Sequence, residues 1–227
     1  MCGRFTMTRR EPSDFARRLG IDPAAFADYQ PRYNIAPTQP WFIITMEYEN
    51  RRVEPAKWGL VNSSARDNSR ASQCINAKAE TADALPSFRD AFRHRRCVIP
   101  ADGFYEWTGP KGRRTPWWIH PRDGGLILFA GLYEAWFPAP GKPETTFTII
   151  TCPPNDTIAR IHNRMPVILD DRAADDWMNA REPDPRSLKR LLVPAPADLL
   201  DVRAASPLVN NANNEGPELL EAEPTLF

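Results

Sequence analysis

Proline is the residue that most restricts how this chain can fold. The 227 residues include 24 Pro, which is roughly twice the usual 5% share. Proline fixes φ at about −65° and has no N–H to donate, so it interrupts helices and is excluded from the middle of regular sheets. Long helices are therefore disfavoured. Together with seven Trp, the prolines predict a compact, loop-rich fold with short strands.

Charge and hydropathy limit the classes of function. Lys plus Arg and Asp plus Glu both number 29, so the formal net charge is +0, and a nucleic-acid-binding surface would have to gather its positive charge locally. A 42% hydrophobic and 26% charged composition is typical of a globular protein. Residues 1–5 carry no apolar export segment and the chain has no run of about 18 apolar residues, so we expect a cytoplasmic protein with no membrane partner.

The cysteines indicate reduced thiols. They are widely spaced, form no C-x-x-C pair, and are Cys2, Cys74, Cys97 and Cys152. Without an export signal, this usage is typical of a reducing compartment. We therefore expect neither a disulfide framework nor a metal site.

Hydrophobic periodicity and turn residues predict short elements of both kinds. Helices are predicted over 12–19, 86–96, 171–180 and 185–192. Strands are predicted over 41–46, 53–60 (an edge or bulge because of Pro55), 97–99, 103–108, 116–119, 126–136, 146–151 and 165–169, with loops over 30–40, 62–72 and 207–217. Without a βαβ rhythm, the pattern favours an α+β fold: one domain over 2–220 with a tail over 221–227, built on a mainly antiparallel, partly closed β-sheet or barrel with short flanking helices.

The position of Cys2 has a chemical consequence. Removal of Met1, which a small second residue permits, would leave an N-terminal cysteine. Its α-amine and thiol have ordinary pKa values of about 7.7–8.0 and about 8.5, so both are partly deprotonated at neutral pH. An aldehyde would condense with the amine to an imine, and the thiol would then close a five-membered thiazolidine ring. The alternative is an ordinary buried thiol behind a retained Met1.

Two further side chains suit proton transfer. Glu106 lies within the aromatic segment 103–107, where packing among Phe, Tyr and Trp would raise its pKa and make it a general acid or base. The alternative is a surface-facing Glu on a half-exposed strand. His162 precedes Arg164 in segment 161–166; the imidazole suits proton shuttling and the guanidinium suits a phosphate or an oxyanion. The alternative is a structural loop histidine.

Other candidates are weaker by themselves. Asn76 and Lys78 would share one face of an extended segment, and Asn34 lies in a rigid turn that contains Pro37. Most Trp residues are expected in the core, although one or two could stack on nucleobases. The seven are Trp41, Trp58, Trp107, Trp117, Trp118, Trp136 and Trp177.

Six motifs, taken together and in order, carry a family resemblance. They are MCGRF at 1–5, YNIAP at 33–37, WG at 58–59, INAKAET at 75–81, ADGFYEW at 101–107 and IHNRMP at 161–166. The chain resembles the SOS-response-associated peptidase (SRAP) domain family from residue 2 to about residue 218. The resemblance implies a bacterial, nucleoid-associated protein that recognises abasic sites in single-stranded DNA. It implies that the N-terminal cysteine captures the ring-opened sugar as a reversible thiazolidine crosslink, which shields the lesion during the DNA damage response.

The resemblance also implies a role for each matching residue. Cys2 would be the nucleophile, Asn76 would orient the sugar or the amine, Glu106 would move protons, and His162 would act on the ring oxygen or hydroxyl of the sugar. Arg4, Lys78 and Arg164 would contact the flanking phosphates, while Asn34 and Pro37 would shape the pocket wall. No cofactor is implied, and we expect a monomer.

The chain departs from the family pattern in three places. Lys78 stands where bacterial members often have Arg, so the bidentate fork is lost. Loop 61–72 has no aromatic residue, where many members carry Trp, and segment 210–214 lacks the Lys of some relatives.

Two other classes of function remain open. The first is an N-terminal-cysteine thiol peptidase or amidohydrolase that processes its own N-terminus and uses the same Cys2, Glu106 and His162. Autoproteolytic peptidase activity and abasic-site-lyase-like activity would also be compatible with the covalent capture that the resemblance implies. The second is a non-catalytic single-strand-binding module that uses Arg4, Arg164 and exposed aromatic residues.

Overall fold

A computed structural model describes residues 2–110, 112–139, 141–179 and 184–222. Within these residues the chain forms β1 (Phe5–Met7), β2 (Arg32–Ile35), β3 (Pro40–Glu47), β4 (Asn50–Trp58), β5 (Asn76–Lys78), β6 (Arg96–Ala101), β7 (Gly103–Thr108), β8 (Thr115–Pro121), β9 (Ile127–Ala139), β10 (Lys142–Cys152), β11 (Met165–Pro166), β12 (Ile168–Leu169) and β13 (Leu200–Ala204). The α-helices are α1 (Ser13–Leu19), α2 (Arg89–His94), α3 (Asp156–Ala159), α4 (Asp171–Asn179) and α5 (Pro185–Lys189). Short 3₁₀ segments cover Pro23–Phe26, Ala71–Gln73, Ala197–Leu199, Pro207–Asn210 and Pro217–Leu220.

The strands form two sheets, one of which closes on itself. The first sheet has the order β13-β8-β7-β1-β2, and the second has the order β11-β10-β4-β3-β6-β9-β12. A further antiparallel pairing between β9 and β10 closes the path β10-β4-β3-β6-β9 into a ring. The predicted α+β class with a partly closed, mainly antiparallel sheet is therefore confirmed. The pairings of β10 with β4 and with β5 are parallel, which the sequence pattern did not indicate.

One large apolar core joins the two sheets. Buried side chains of β1, β6, β7, β9 and β10 belong to a single hydrophobic cluster. Phe5 of β1 has edge-on contacts with Trp58 and with Phe129, at ring-centroid distances of 5.1 and 6.0 Å. Such aromatic contacts add to the free energy gained from burial. The core therefore fixes β1, and with it the residues that precede β1.

The second face of the first sheet carries a smaller cluster, formed around Tyr105 and Trp118. It depends on a close approach between neighbouring strands. A Cβ at Gly103 would lie 2.3 Å from Trp118 Nε1, so only glycine fits at the start of β7. The 3₁₀ segments Pro207–Asn210 and Pro217–Leu220 cover this face, since Val209 is buried there with Leu220 packed against it.

Several predicted elements are confirmed and others need correction. Helix 12–19 is present as α1 and ends at Gly20 in the left-handed conformation. Loop 30–40 is wrong in part because it contains β2, and strand 165–169 is divided into β11 and β12. Helix 86–96 is shorter, because Arg96 begins β6 and is buried. The last residue of helix 171–180, and positions 223–227 of the tail, lie outside the described residues.

Pro55 occupies a position that tolerates its missing N–H. It lies in β4 opposite Phe42 of β3, whereas β10 pairs with β4 at Lys57 and Trp58. The sheet order places β4 between β3 and β10, so the prediction of an edge strand is wrong. Pro55 is tolerated because the pairing with β10 begins only at Lys57. All four cysteines are free thiols. In the described part of the chain, no helix is long and apolar enough to span a membrane.

Candidate active site

The residues before β1 run along β7 towards Glu106. Phe5 lies opposite Phe104 in the antiparallel pairing, and the N–H of Tyr105 donates to the carbonyl of Arg4 at 3.0 Å. Continuing this direction brings Cys2 beside Glu106. The two groups interact electrostatically, because the charge of Glu106 adds to the effect of burial in raising the pKa of the Cys2 thiol. Two residues that are far apart in sequence therefore meet.

Asn76 holds the backbone of Cys2. Its Nδ2 donates to the Cys2 carbonyl at 2.8 Å. Asn76 can reach this carbonyl because β5 lies parallel to β10, with Asn76 opposite Ile149. Its buried Oδ1 has no hydrogen-bond partner within the described residues. An unpaired buried acceptor is unfavourable, so this amide oxygen is available to a hydroxyl or an amine brought in by a ligand.

Glu106 is buried, with 3% of the residue exposed. The interpretation as a surface-facing carboxylate is therefore wrong, and the interpretation as a packed one is confirmed. Burial raises its pKa to about 7 from an ordinary value of 4.5. Near neutral pH the carboxyl therefore exists in both protonation states, which suits a group that both gives and accepts protons.

His162 lies beside Glu106. Its Nδ1 is 3.9 Å from Glu106 Oε1, and the backbone N–H of Arg164 donates to the same Nδ1 at 3.0 Å. The same Nδ1 also lies 3.2 Å from the Arg164 carbonyl oxygen, so it accepts from the N–H or donates to the carbonyl according to the tautomer of the ring. Burial lowers the pKa of the imidazole below its usual value, so the neutral form predominates at pH 7. His162 is thus prepared to accept or relay a proton rather than to hold a positive charge.

The thiol of Cys2 is fully buried, and its Sγ lies 3.8 Å from the Arg4 carbonyl oxygen. Burial raises its pKa above the ordinary range, so the thiol is protonated at neutral pH. A reaction that uses this sulfur therefore needs a neighbouring base to accept its proton. Glu106 is the carboxylate whose charge reaches it.

Arg164 is tied to the protein itself. Its Nη1 and Nη2 donate to the two carboxylate oxygens of Glu80 at 2.5 and 2.9 Å, and Nη2 also donates to the Thr151 carbonyl at 2.5 Å. The pair lies at the rim, with 14% of the Arg164 side chain and 46% of the Glu80 side chain exposed. A phosphate would have to compete with Glu80 for this guanidinium. The role of Glu80 had no signal in the sequence, since it depends on the approach of β5 to β10.

Arg4 and Asn34 form a tether to the C-terminal segment. Arg4 Nη1 donates to Asn34 Oδ1 at 3.0 Å and to the Val209 carbonyl at 2.7 Å. The fully buried Asn34 donates through Nδ2 to the carbonyls of Asn211 and Asn214, both at 3.0 Å. The hydrogen bonds of both side chains thus join β1 and β2 to segment 209–214. The structure does not bring Arg4 or Asn34 into the group formed by Cys2, Asn76, Glu106 and His162.

Two remaining candidates lie at the periphery. Lys78 is exposed on the same face of β5 as Asn76, two residues further along the strand. Pro37 is half-buried in the turn between β2 and β3. Arg114 was not anticipated: it is exposed in the loop before β8, and its charge acts on both Glu106 and His162. The described residues contain no cluster of His, Cys, Asp or Glu that could hold a metal ion.

Fold and site together define a class: a small α+β barrel protein with a near-N-terminal cysteine beside a buried Glu and a half-buried His. The family model described as SOS response associated peptidase (SRAP) matches residues 1–212. The chain therefore belongs to the SRAP family, and the resemblance carried by its six motifs is confirmed.

Proteins of similar sequence align with most or nearly all of this chain. The chain is 42% identical over 225 residues to the abasic site processing protein YoqW of Bacillus subtilis, an alignment that covers 98% of this chain and 100% of that protein. It is 28% identical to the abasic site processing protein YedK of Escherichia coli, covering 97% and 99%. It is 29% identical to the abasic site processing protein HMCES of Gallus gallus, covering 85% of this chain and 66% of that protein.

Solved structures share the fold. A crystal structure of a Bacteroides thetaiotaomicron protein has a TM-score of 0.86 at 24% identity and covers 98% of this chain and 100% of that one. A crystal structure of a phage-related protein from Bordetella bronchiseptica has a TM-score of 0.68 at 28% identity, covering 89% and 93%. The α+β barrel described above is therefore the architecture of solved proteins as well.

Proposed function

We propose that this protein processes abasic sites in single-stranded DNA by capturing the aldehyde of the ring-opened sugar through Cys2 after Met1 has been removed. The observation that carries the proposal is the environment of Cys2. Its carbonyl is held by Asn76, and its thiol lies within the field of a buried carboxyl whose pKa is about 7. The names of the relatives, all abasic site processing proteins, support the same substrate.

The capture proceeds in two steps. The α-amine of Cys2 adds to the aldehyde carbon, and loss of one water gives an imine. The thiol then adds across the C=N bond: a C–S bond forms, the thiol proton ends on nitrogen, and the product is a thiazolidine. Neither step needs an oxidant or a reductant. The reverse sequence releases the DNA, which makes the crosslink reversible.

Glu106 serves both steps because it is half-protonated near pH 7. As an acid, it donates to the hydroxyl that leaves as water. As a base, it accepts the proton of a thiol whose pKa is raised by burial. His162 acts on the sugar oxygen during ring opening, and the unpaired Oδ1 of Asn76 accepts a hydrogen bond from the sugar or the amine.

DNA is held around this chemistry by groups at the rim. Lys78 and Arg164 contact the phosphates that flank the lesion, and Arg164 does so by exchanging its Glu80 partner for phosphate. Arg4 adds positive potential through its position next to Cys2, while Asn34 and Pro37 support the pocket wall. The protein acts as a single domain over 2–220, as a monomer, in the cytoplasm and on the nucleoid during the DNA damage response.

The test is a denaturing gel of the Met1-processed protein with a single-stranded oligonucleotide that bears one abasic site. We expect a slow band that survives heat and detergent and that requires both the lesion and Cys2. Cys2→Ala should abolish the band and leave weak binding of DNA, and Cys2→Ser should give no stable ring product. A Cys2→Ala protein that still crosslinks would contradict the scheme.

The gel also tests the alternative functions. A thiol peptidase with the same Cys2, Glu106 and His162 would turn over peptides and give no stable adduct with the lesion. A binding module would retard the abasic oligonucleotide and an intact one alike on a native gel, and would give no slow band on the denaturing gel. Absence of the band, with loss of Met1 verified by mass spectrometry, would reject aldehyde capture and leave these two.

A further inference from the structure

A cavity lies next to the Glu106–His162 pair. Its volume is about 470 Å³. Its lining includes Thr108, Trp117, Asp156, Arg160 and Ile161, which we call the Trp117 groove. The groove adjoins the site at two points of the chain, because Thr108 is two residues beyond Glu106 and Ile161 directly precedes His162.

The pairing of β7 with β8 aligns the groove with the site. Trp117 lies directly opposite Glu106 in the antiparallel register. Residues opposite each other share a face of the sheet, with Cβ atoms about 5 Å apart. Thr108 shares this face because it follows Glu106 by two positions along β7. The groove therefore lies on the same face of the first sheet as Glu106.

The indole of Trp117 is fixed in place without serving the core. Its Nε1 donates to Thr108 Oγ1 at 2.8 Å, so its polar edge is satisfied within the sheet. The ring is half-buried and belongs to neither of the two hydrophobic clusters of the described residues. A rigid, partly exposed aromatic ring beside a reactive pocket is a surface on which a nucleobase can stack.

Two arginines lie near this ring in the groove or in the sequence. Arg160 lines the groove, and Arg114 lies three residues before Trp117 with its charge reaching both Glu106 and His162. Both arginines are exposed, and neither forms a salt bridge within the part of the chain described here. Asp156 supplies an opposing charge at the first residue of α3. The chain has no net charge, so a local excess of arginine around an aromatic ring is a specific arrangement.

We propose that the Trp117 groove binds the nucleotide next to the captured lesion. The base stacks on Trp117, and its phosphate lies between Arg114 and Arg160. The inference rests on the proposed function, since it names where the strand continues once the abasic sugar is at Cys2. A single-stranded nucleotide fits the pairing of an aromatic surface with guanidinium groups.

The test combines a protein change with a substrate change. Oligonucleotides carry one abasic site, and the neighbouring nucleotide on the 5′ or the 3′ side is replaced by tetrahydrofuran, which keeps the phosphate and lacks both base and aldehyde. Trp117→Ala should weaken capture of the fully based strand by about 5- to 150-fold, the range measured when a stacking aromatic is truncated. Removing the base on one side, and only that side, should weaken capture by the wild-type protein by a similar factor.

The two changes should not add when they are combined, because they remove the same contact. Trp117→Phe should recover most of the loss, which separates stacking from a folding defect. Arg160→Gln should make the dependence of log affinity on log salt shallower by about 0.7, and Asp156→Asn should strengthen binding. Phe137→Ala, at an exposed aromatic of β9, and Arg172→Gln, on α4, serve as matched controls without effect.

The outcomes separate the two proposals. Two results would overturn the proposed nucleotide site while leaving aldehyde capture intact. The first is full capture by Trp117→Ala. The second is a combined loss of capture equal to the product of the losses caused by removing the base and by removing the indole. If the wild-type protein captures no strand, the proposed function fails. The groove is then still tested by fluorescence anisotropy with an oligonucleotide that carries tetrahydrofuran at the lesion, where equal affinity of Trp117→Ala and wild type would overturn it.

Discussion

Two groups of motif residues near the start of the chain's first strand differ in how they use their polar atoms. The reactive cluster is Cys2, Asn76, Glu106 and His162. It keeps an unpaired amide oxygen and three groups whose pKa values burial has shifted. The tether cluster is Arg4 and Asn34 with the backbone of segment 209–214. Its side chains donate to carbonyls within the protein, and its side-chain acceptor, Asn34 Oδ1, is also paired.

The difference separates function from stability. Burying polar groups that lack full partners destabilises the fold, and such groups persist where chemistry needs them. Burying polar groups that are fully hydrogen-bonded costs little free energy, whereas deleting one partner of such a hydrogen bond destabilises the fold. We therefore expect changes in the reactive cluster to lower the rate of capture with the fold intact, and changes in the tether cluster to lower the free energy of unfolding.

The largest effect is expected for Glu106→Gln. Glutamine keeps the shape and cannot transfer a proton, so the rate of crosslink formation should fall by about 10²- to 10⁴-fold, and the rate of release should fall as well. Single-turnover gels with the abasic oligonucleotide measure both rates. The melting temperature should not decrease.

Glu134→Gln is the matched control for this change. Glu134 is equally buried on β9 but is paired with Arg95 at 2.7 Å. Its replacement should lower the melting temperature and leave the capture rate within a few-fold of wild type. If both variants lost rate equally, the two rates would be reporting damage to the fold rather than proton transfer by Glu106.

Asn34→Ala should have the largest effect on stability. The change removes the hydrogen bonds of a fully buried side chain to Arg4 and to the carbonyls of Asn211 and Asn214, and leaves these partly buried groups without that partner. The free energy of unfolding should fall by about 3–4 kcal/mol, as measured by urea titration. At a temperature where the variant stays folded, capture should remain within about tenfold of wild type.

Asn50→Ala provides the comparison for Asn34→Ala. Asn50 is exposed, and its amide donates only to the nearby Tyr48 carbonyl at 3.1 Å. Its loss should change the free energy of unfolding by less than about 0.5 kcal/mol. A tether variant that was no less stable than Asn50→Ala would remove the distinction between the two clusters.

Glu106 should also make stability depend on pH with a defined sign. Its pKa is about 7 in the folded protein against 4.5 ordinarily, so the folded state holds this proton more tightly. The stabilisation is fully present below pH 4.5 and is lost as the pH rises through about 7. Relative to wild type, Glu106→Gln should therefore gain about 3 kcal/mol between pH 4.5 and pH 8. Urea titrations of both proteins at several pH values measure this gain, and a difference that is independent of pH would mean that Glu106 is not buried as described.

The fold could be predicted to the extent that local pattern determines it. Strand 103–108 and the helix that ends at Gly20 are local features, and both appear as predicted. Strand β2 was missed because the prolines around it indicate a loop, whereas its pairing with β1 is a tertiary effect. The parallel contact of β10 with β5 was equally invisible, since it joins segments that are distant in sequence.

Prediction of the site from sequence was limited in the same way, because contacts between distant segments could not be foreseen. Cys2, Glu106 and His162 could be selected by their chemistry and by the family motifs, but sequence could not decide whether Glu106 was buried. Sequence also could not separate Arg4 and Asn34, whose bonds serve the tether, from Asn76, whose Oδ1 remains unpaired within the described residues. Among seven tryptophans, only the register of β7 and β8 identifies Trp117 as the one opposite Glu106.

The smallest effect is expected for Glu80, which shares one property with each of the two clusters. Both carboxylate oxygens of Glu80 are hydrogen-bonded within the protein, as the polar atoms of the tether cluster are, but their partner is Arg164 at the rim of the reactive cluster. Glu80→Gln should release Arg164 for phosphate, so noncovalent affinity for a tetrahydrofuran oligonucleotide should rise about two- to fivefold, and its salt dependence should steepen by about 0.7 in log–log slope. The free energy of unfolding should fall by less than about 1 kcal/mol, because the pair is partly exposed.

Asp175→Asn makes the same change of charge at a distance from the pocket. It releases Arg51, which is paired with Asp175 at 2.7 Å between β4 and α4. A general increase in positive charge would raise DNA affinity equally in both variants, whereas release of a phosphate ligand raises it only in Glu80→Gln. Anisotropy titrations at three salt concentrations distinguish these cases. Equal slopes of log affinity against log salt for the two variants would mean that the guanidinium of Arg164 binds groups of the protein, as Arg4 does, and does not bind DNA.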